Sequence, residues 1–368
     1  MVFNGLSVKN FLSLRDIRVD LGRLNIFIGP NASGKSNIVR AIRLLSNHAR
    51  GCVDVLSEYR EFKDVVYNFN PVGVVEIRME AMVNGREMTY ILTLNNMKYV
   101  EDIVMDGENV LHHDGDDISY MLMDKNYRVH PSSFSYFGRN MFYSALSYLP
   151  SENYREIFQL AYLLKNISVH SFIPSKIRAR VSINNPVDLR YYGDNLPRYL
   201  LYLYLEDRKT FSLIEEAFRN LISEVEEIIP HIEDTGVEIW LKVRGIREPL
   251  KPSNISDGTL RILAIITILY SKKGLIVLEK PENYVHPYLL ETLIHLIRNS
   301  PSQVIIVTHS PYLLDFMRPE EVYLVEKPGR ETLVRRLSKS REIEEVRRFL
   351  EEGGTLGEAW YSGIMGGI

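Results

Sequence analysis

The sequence has 368 residues, of which 45% are hydrophobic and 25% charged, as in an ordinary globular protein of one large or two moderate domains. Its formal net charge of −3 provides no overall positive field for nucleic acid, although a local basic patch is compatible with this value. The single cysteine, Cys52, excludes an intramolecular disulfide, and the lack of a signal-peptide pattern or a membrane-length apolar run predicts a cytoplasmic protein without membrane contact.

The first hundred residues read mainly as strands. Short strand-like segments occupy 6–9, 17–20 and 24–28, and the last of them is mostly apolar and ends in glycine. From Ser36 the apolar residues recur at helical spacing. Alternating apolar and polar residues over 73–106 then predict an antiparallel meander.

A middle section, 111–235, has a different pattern. It opens with the polar run 112–117 (His-His-Asp-Gly-Asp-Asp), followed by predicted helices at 153–166, 196–206 and 211–229. The polar run contains metal-ligand residue types, but adjacent side chains in a loop point apart, so we interpret it as a solvated turn. The basic residues Lys176, Arg178 and Arg180 are interpreted as a solvated face, with contact to nucleic-acid phosphates as the alternative.

Strands and helices alternate again after a strand-like segment at 237–241. Two apolar runs, 274–278 and 304–307, predict buried strands separated by helical segments. This alternation predicts a largely parallel sheet and an α/β fold.

The glycine-rich segment after the strand 24–28 is a P-loop. It has the pattern G-x-x-x-x-G-K-S and consists of Gly29, Pro30, Asn31, Ala32, Ser33, Gly34, Lys35 and Ser36. A strand before the loop and a helix after it, starting near Asn37, place backbone N–H groups around phosphate oxygens. Lys35 is expected to contact the β- and γ-phosphates of ATP, and the Ser36 hydroxyl is expected to ligate Mg²⁺.

Three further segments carry polar residues next to apolar runs. Ser256, Asp257 and Gly258 precede an apolar helix, where they form either a second anion site or an ordinary helix cap. Glu279 ends a buried strand, either as a Mg²⁺ ligand or as part of a charged turn. His309 ends another buried strand, where a histidine is more often structural.

In this order, the four segments resemble the ABC-type ATPase heads of the SMC, RecF and OLD-like group. Stand-alone ATPases of this group share further motifs with the chain, namely Asn10-Phe11, Ser-Asp-Gly-Thr at 256–259, Pro-Glu-Asn and His-Pro between 281 and 287, Thr-His-Ser-Pro at 308–311, and the segment 356–363. The resemblance covers about 1–50 and 250–368. It implies a P-loop NTPase head with N-terminal antiparallel strands and a mainly parallel core sheet, formed by 1–110 and 236–368, with 111–235 as a mainly helical insertion.

The resemblance also implies a mechanism. Ser256 and Gly258 would contact the γ-phosphate held by the P-loop of a second copy, so that ATP joins two heads into a homodimer. Glu279 would be the Walker-B ligand of Mg²⁺, and His309 the γ-phosphate sensor. The group acts in DNA repair, chromosome maintenance or anti-phage defence, which implies DNA as a partner. The roughly 59 residues after His309 are too few for a Toprim nuclease domain, so a nuclease or other effector is expected to be separately encoded.

At two positions the sequence differs from the motifs of that group. The residue after the Walker-B carboxylate is normally the glutamate that polarises the attacking water, but here it is Lys280. An ammonium group cannot accept a proton near neutral pH, and Glu282 is the nearest alternative base. The Q-loop glutamine is missing as well, since Gln159 lies in an apolar helical stretch.

These departures leave three hypotheses for the function. The first is an ATPase of the SMC/RecF/OLD-like group, and the second is a nucleotide switch in which ATP binding alone drives dimerisation. The third is the ATPase subunit of a membrane transporter, which the long middle section and the Ser-Asp-Gly pattern disfavour.

Overall fold

The computed structural model describes residues 2–51, 59–96, 98–114, 118–122, 125–129, 133–136, 139–142, 144–147 and 155–366, and side-chain surroundings are described outside 118–142. Cys52 lies outside the described residues. The chain forms two compact units. Unit 1 comprises Met1–Ile167, Pro319–Gly354 and Ala359–Ile368, and unit 2 comprises Ser168–Arg318 and Thr355–Glu358.

The largest element of unit 1 is an eight-stranded antiparallel sheet. Its order is β2-β1-β4-β5-β6-β7-β8-β9. The strands are β1 (Val2–Phe11), β2 (Leu14–Asp20), β4 (Val75–Val83), β5 (Arg86–Leu94), β6 (Tyr99–Met105), β7 (Glu108–His113), β8 (Ile118–Leu122) and β9 (Lys125–Val129). The pairing of β4 with β5 and of β5 with β6 confirms the meander predicted over 73–106. Burial alternates strictly along β4, so one face of the sheet packs into the core.

Unit 1 also contains a smaller group of strands that leads to the P-loop. The strand β18 (Val322–Glu326) runs parallel to β3 (Leu24–Ile28) and antiparallel to β19 (Leu333–Arg336). All five residues of β3 are buried, as the apolar sequence predicts. The remaining elements are α1 (Lys35–Ala49), the hairpin of β10 (Ser133–Tyr136) and β11 (Arg139–Phe142), α2 (Arg155–Lys165) and α8 (Ile343–Glu351). The helix α9 (Leu356–Tyr361) follows α8 along the chain.

Unit 2 combines two groups of strands with helices. One group has the order β12-β16-β17, formed by β12 (Ile167–His170), β16 (Leu275–Glu279) and β17 (Gln303–Thr308), and β16 and β17 are parallel. The other has the order β13-β15-β14, formed by β13 (Val181–Ser182), β15 (Gly236–Val243) and β14 (Val225–Glu233). The helices are α3 (Pro174–Ile177), α4 (Leu196–Glu206), α5 (Arg208–Leu221), α6 (Asp257–Leu269) and α7 (Pro287–Asn299). From Leu260 to its end, α6 is buried throughout, so it lies in the core of the unit.

The predicted helix over 211–229 was wrong at its C-terminal end. The helix α5 ends at Leu221, and β14 begins at Val225. Val225 and Ile228 pair with residues of β15 and are buried. β-Branched residues fit a pleated surface better than a helix, and pairing with β15 outweighs the acidic helical pattern that the sequence suggested.

The predicted polar loop at 112–117 was also wrong in part. His112 and His113 are the last residues of β7, and their side chains lie on opposite faces because strand side chains alternate. His113 is fully buried, whereas the residues 115–117 lie outside the described part. The section 111–235 contains strands as well as helices, and its limits as an insertion stay a prediction.

Candidate nucleotide site

The P-loop of unit 1 connects the buried strand β3 to helix α1, and its glycines are required by packing. A Cβ atom at Gly29 would overlap the carbonyl oxygen of Val325, and one at Gly34 would overlap the Thr332 hydroxyl. Gly34 also has a φ of +100°, which residues with a side chain rarely adopt. Only glycine fits at these two positions.

The ammonium group of Lys35 lies within the loop. Lys35 is 7% exposed, and its Nζ donates to the carbonyl oxygens of Gly29 at 2.7 Å and Pro30 at 2.8 Å, and to Ser33 Oγ at 3.2 Å. Ser36 is exposed in the first turn of α1. The backbone of Gly34 is the N-cap of α1, and no side chain caps this end of the helix. No capping side chain therefore competes with an anion at this end of the helix.

A chain of hydrogen bonds holds the P-loop against two neighbouring turns of unit 1. The Asn37 amide donates to Ser13 Oγ at 2.7 Å, and the hydroxyls of Ser13 and Thr332 are 2.7 Å apart. Thr332 in turn donates to the carbonyl oxygen of Ser33 at 3.0 Å. Ser13, Ser33 and Thr332 are buried, so the position of the loop is fixed by contacts that solvent does not reach.

The Ser-Asp-Gly segment of unit 2 opens helix α6, as predicted. Ser256 is the N-cap, and its Oγ accepts a hydrogen bond from the Thr259 N–H at 3.1 Å. A Cβ atom at Gly258 would overlap the carbonyl oxygen of Tyr284, so glycine is needed here for packing. The ordinary cap that the sequence offered as an alternative is present. The Ser256 and Thr259 hydroxyls are also 2.8 Å apart. Accepting the Thr259 N–H does not use the Ser256 O–H, which can donate to an anion.

Arg178 holds this segment in place and was not recognised as a site residue from sequence. Its guanidinium donates to the Asp257 carboxylate at 2.6 Å and to the carbonyl oxygens of Pro252 and Ile255, each at 2.9 Å. Arg178 lies 79 positions before Asp257, so no local pattern connects the two residues.

Glu279 is the last residue of β16 and follows four fully buried apolar residues. Its Oε2 accepts a hydrogen bond from the Tyr191 hydroxyl. The buried Arg261 of α6 donates to the carbonyl oxygens of Glu279 at 3.2 Å and Lys280 at 2.5 Å. Two residues that are distant in sequence, Tyr191 and Arg261, therefore hold the end of this strand, and no sequence motif indicated either contact.

Lys280 has a constrained backbone and is half-buried. Its φ is 49°, in the left-handed region that few side-chain-bearing residues occupy. Its N–H donates to the Val307 carbonyl oxygen of β17 at 2.7 Å. A left-handed residue at the end of a strand is a conformational outlier of the kind that occurs at functional sites.

Glu282 and Thr308 join the two strand ends of unit 2. The Thr308 hydroxyl donates to Glu282 Oε1 at 2.5 Å, and among the described residues Glu282 Oε2 is a buried oxygen with no hydrogen-bond partner. Burial raises the pKa of Glu282 above its ordinary value. His309 follows directly and is exposed. The parallel register of β16 and β17 pairs Glu279 with Val307, so Glu279 and His309 leave the same edge of the sheet.

A second cluster of polar residues, in unit 1, was not predicted. The buried carboxylate of Glu101 in β6 accepts from the Tyr90 hydroxyl at 2.5 Å, from the Ser144 hydroxyl at 2.6 Å and from the Ala145 N–H at 2.6 Å. It is also 2.8 Å from His113 Nδ1 and 3.1 Å from Nε2 of His48, in the last turn of α1. This cluster, Glu101 with His48 and His113, connects the far end of the P-loop helix to the eight-stranded sheet.

Comparison with known proteins places the chain in a family. Residues 24–315 match the family model described as AAA domain, putative AbiEii toxin, Type IV TA system. The chain belongs to this family. The OLD nuclease of Thermus scotoductus (strain ATCC 700910 / SA-01), a curated relative, is 25% identical over 355 residues, covering 88% of this chain and 61% of the relative. The chain therefore spans about three fifths of that relative's length.

Solved structures of SMC heads share the fold of this AAA-family chain. The SmcHead bound to the C-winged helix domain of ScpA has a TM-score of 0.59 at 16% identity, over 94% of this chain and 100% of that chain. The Pyrococcus furiosus Smc head with an extended coiled coil, bound to the C-terminal domain of ScpA, has a TM-score of 0.57 at 15% identity, over 95% and 99%. These likenesses confirm the predicted α/β P-loop NTPase fold and the resemblance to ABC-type ATPase heads of the SMC and OLD-like group.

Within the described residues, no helix is both long and apolar enough to span a bilayer. In the same part of the chain, no three or more His, Cys, Asp or Glu side chains are grouped so that they could hold a metal ion.

Proposed function

We propose that this chain is an ABC-type ATPase head that binds ATP in its P-loop, dimerises when ATP is bound and releases phosphate. The observation that carries the proposal is the P-loop itself. Packing requires its two glycines, Gly29 and Gly34, the Lys35 side chain is buried, and no side chain caps the start of α1. The three oxygen partners of Lys35 would be exchanged for phosphate oxygens, which form stronger, charge-assisted hydrogen bonds.

We propose Ser36 and Glu279 as the residues that hold Mg²⁺. Hydroxyl and carboxylate oxygens are the donor types that Mg²⁺ prefers, and the Tyr191 hydroxyl fixes the orientation of the Glu279 carboxylate. When bound, Mg²⁺ neutralises charge on the phosphate oxygens. Glu282, whose pKa is raised by burial, would orient and deprotonate the attacking water in place of Lys280.

The proposed dimer uses the start of α6. Ser256 and Gly258, with Asp257 between them, would place the start of α6 against the γ-phosphate held by a second copy of the chain. His309 would act as a γ-phosphate sensor. The hydrogen bonds from Arg178 support this role, because a segment held in one conformation loses less entropy on binding.

DNA is the ligand we propose for the assembled dimer, and a separately encoded nuclease or another effector is its proposed partner. The relative named OLD nuclease supports both proposals. We place the protein in the cytoplasm, in DNA repair, chromosome maintenance or anti-phage defence.

Steady-state phosphate release from Mg·ATP, with and without DNA, tests the proposal, and Lys35→Ala is the negative control. We expect release by the parent protein, faster release with DNA, and none by the variant. Oligomeric state is measured in parallel by light scattering with ATP and with ADP. If the parent protein neither binds ATP more tightly than Lys35→Ala nor changes its oligomeric state, the proposal is wrong.

A second candidate is a nucleotide switch in which ATP binding alone drives dimerisation. Lys280 favours it, because a cation stands directly after Glu279, where the resembled ATPases carry the catalytic glutamate. In that case ATP produces dimers without phosphate release, and Lys280→Glu creates turnover that the parent protein lacks. Turnover by the parent protein that depends on Lys35 contradicts the switch.

A further inference from the structure

Unit 2 contains a cavity that no sequence motif predicted and that the proposed ATPase mechanism does not use. Its volume is about 520 Å³, within the range of small-molecule sites. The loop before α4, the junction of α4 and α5, and the residues that end α6 line it. Three tyrosines and two pairs of oppositely charged residues are part of this lining, so the cavity offers both apolar and charged contacts.

The tyrosines provide the apolar part of the wall. Tyr199 is buried, and the ring of Tyr202 stacks on it with the ring centres 6.5 Å apart. Tyr270, the C-cap of α6, is half-buried and lines the cavity as well. Aromatic side chains grouped in this way pack favourably against a further ring, by burial of apolar area and by offset stacking.

In each of the two ion pairs, one partner is far more exposed than the other. The Lys273 side chain is 13% exposed, and its Nζ lies 3.3 Å from the carboxylate of Asp188, which is 75% exposed. The Lys272 side chain is 75% exposed, and its Nζ lies 3.4 Å from the Asp207 carboxylate, which is 36% exposed. Asp207 is held in addition by Thr210, whose N–H donates to it at 3.1 Å and whose hydroxyl donates at 2.7 Å. The cavity therefore has one enclosed cation, Lys273, and one fixed anion, Asp207.

A ligand with both an ammonium and a carboxylate group can replace the two exposed partners at once. Exposed ion pairs add little to stability, so the freed Asp188 and Lys272 side chains would return to water at small cost. Two lysines and two aspartates give the four side chains a formal charge of zero, so the cavity favours neither a simple anion nor a simple cation. A zwitterion satisfies the enclosed cation and the fixed anion together.

We propose that the cavity binds an aromatic α-amino acid. Its carboxylate pairs with Lys273, its ammonium group pairs with Asp207, and its ring packs against Tyr199 and Tyr202. Charge-assisted hydrogen bonds of this kind are stronger than neutral ones and fix the orientation of a ligand. The site lies within unit 2 and needs no nucleotide, so it does not depend on the proposed function.

Isothermal titration calorimetry of the full chain without ATP tests the proposal, with L-phenylalanine as the probe. Phenylalanine amide lacks the carboxylate and N-acetylphenylalanine lacks the ammonium group, and each should bind about tenfold or more weakly, as expected for loss of a hydrogen bond to a charged group. L-Alanine has both charges but no ring, and it should also bind about tenfold or more weakly, because the burial of the ring is lost.

Two variants assign the charges to their partners. Asp207→Asn retains a good N-cap for α5, and it should weaken L-phenylalanine binding about tenfold or more but leave N-acetylphenylalanine binding unchanged. Lys273→Met retains the unbranched chain without the charge, and it should weaken L-phenylalanine binding but leave phenylalanine amide binding unchanged. The controls Asp234→Asn and Lys209→Met change exposed residues of unit 2 outside the cavity and should alter no affinity.

The ligand series on the parent protein decides the proposal even if a variant fails to fold. If the parent protein does not bind L-phenylalanine, or binds the amide and the N-acetyl compound equally well, the inference is wrong. It is also wrong if folded Asp207→Asn and Lys273→Met both bind L-phenylalanine like the parent protein, because the ligand then lies elsewhere. Lys35→Ala should bind L-phenylalanine normally, so failure of the proposed ATPase function and failure of this inference are measured separately.

Discussion

The helices α1 and α6 both begin at a candidate anion site, but they differ in how their N-termini are capped. At α1 the cap is the backbone of Gly34, and no side chain accepts from the first-turn N–H groups. At α6 the Ser256 hydroxyl already accepts from the Thr259 N–H, and Arg178 holds the neighbouring Asp257. No side chain therefore competes with a ligand at the first helix, whereas the Ser256 hydroxyl satisfies one N–H group of the second.

This difference suggests that the two units have different functions, one in ATP binding and the other in turnover and assembly. In our proposal unit 1 binds the triphosphate, with the buried Lys35 as its cation. Unit 2 holds the carboxylates Glu279 and Glu282 and the Ser-Asp-Gly segment, which is fixed by Arg178. We therefore expect changes in unit 2 to alter turnover and assembly more than ATP affinity, and the following experiments can contradict that expectation.

The largest effect is expected from Glu282→Gln. If Glu282 is the base, the variant should release phosphate about 10²- to 10⁴-fold more slowly at saturating ATP, with nearly unchanged ATP affinity. The matched control is Glu291→Gln, which changes an exposed glutamate on α7 of the same unit. Equal rates for Glu282→Gln and the parent protein would show that another group activates the water.

The pH dependence of turnover gives an independent measure of the same residue. Burial raises the pKa of Glu282 above 4.5, and a base must be ionised to accept a proton. As pH falls through the raised pKa, the carboxylate becomes protonated and the rate should fall, with a midpoint above 4.5. If the rate of Glu282→Gln falls with the same midpoint at acid pH, the titrating group is a different residue.

The next largest effect is expected on stability, at the far end of α1. Glu101→Ala removes the carboxylate and leaves His48 and His113 buried, which should lower the free energy of unfolding by about 3–5 kcal/mol. Urea unfolding near neutral pH measures this difference, with Glu108→Ala, an exposed glutamate of β7, as the control. Phosphate release per folded molecule should change little.

Acid titration tests the same cluster. Burial alone would raise the pKa of Glu101, but the charge of His48 and the hydrogen bonds from His113 and His48 outweigh it and hold the pKa below its ordinary value. A carboxylate with a lowered pKa stabilises the folded state above pH 4.5, and this contribution is lost as pH falls toward the folded-state pKa. The difference between the parent protein and Glu101→Ala should therefore be constant above about pH 5 and shrink in more acidic solution.

A smaller effect is expected from Arg178→Ala, which removes three hydrogen bonds from the start of α6. ATP-driven dimerisation should weaken by about tenfold or more, the amount expected for loss of a hydrogen bond to a charged group, while ATP affinity of the monomer stays the same. Sedimentation with ATP measures the dimer, and the nearby exposed Lys176 provides the control Lys176→Ala. Weaker ATP binding by the Arg178→Ala monomer would contradict the expectation that changes in unit 2 leave ATP affinity unchanged.

The sequence could predict the P-loop because its requirements are local. Gly29, Gly34 and Lys35 lie within seven residues, and the strand and helix around them have clear patterns. The contacts of Tyr191 with Glu279 and of Arg178 with Asp257 connect positions 88 and 79 apart, and no periodicity encodes such pairs. The helix predicted beyond Leu221 failed for a similar reason, since strand pairing of Val225 with β15 overrides the local pattern.

The smallest effect is expected from Gln159, the only glutamine between the P-loop and Ser256. Its Oε1 accepts from the exposed Asn84 amide at 2.7 Å, a contact between α2 and the turn after β4 in unit 1. Surface contacts of this kind contribute within about 0.5 kcal/mol, so Gln159→Ala should leave stability and phosphate release nearly unchanged. Asn84→Ala removes the same hydrogen bond but also places alanine at a φ of 52° in the Asn-Gly turn, so it should lower stability more than Gln159→Ala does. A large loss of turnover in Gln159→Ala alone would assign this side chain to the nucleotide after all, and the Q-loop function would then belong to α2.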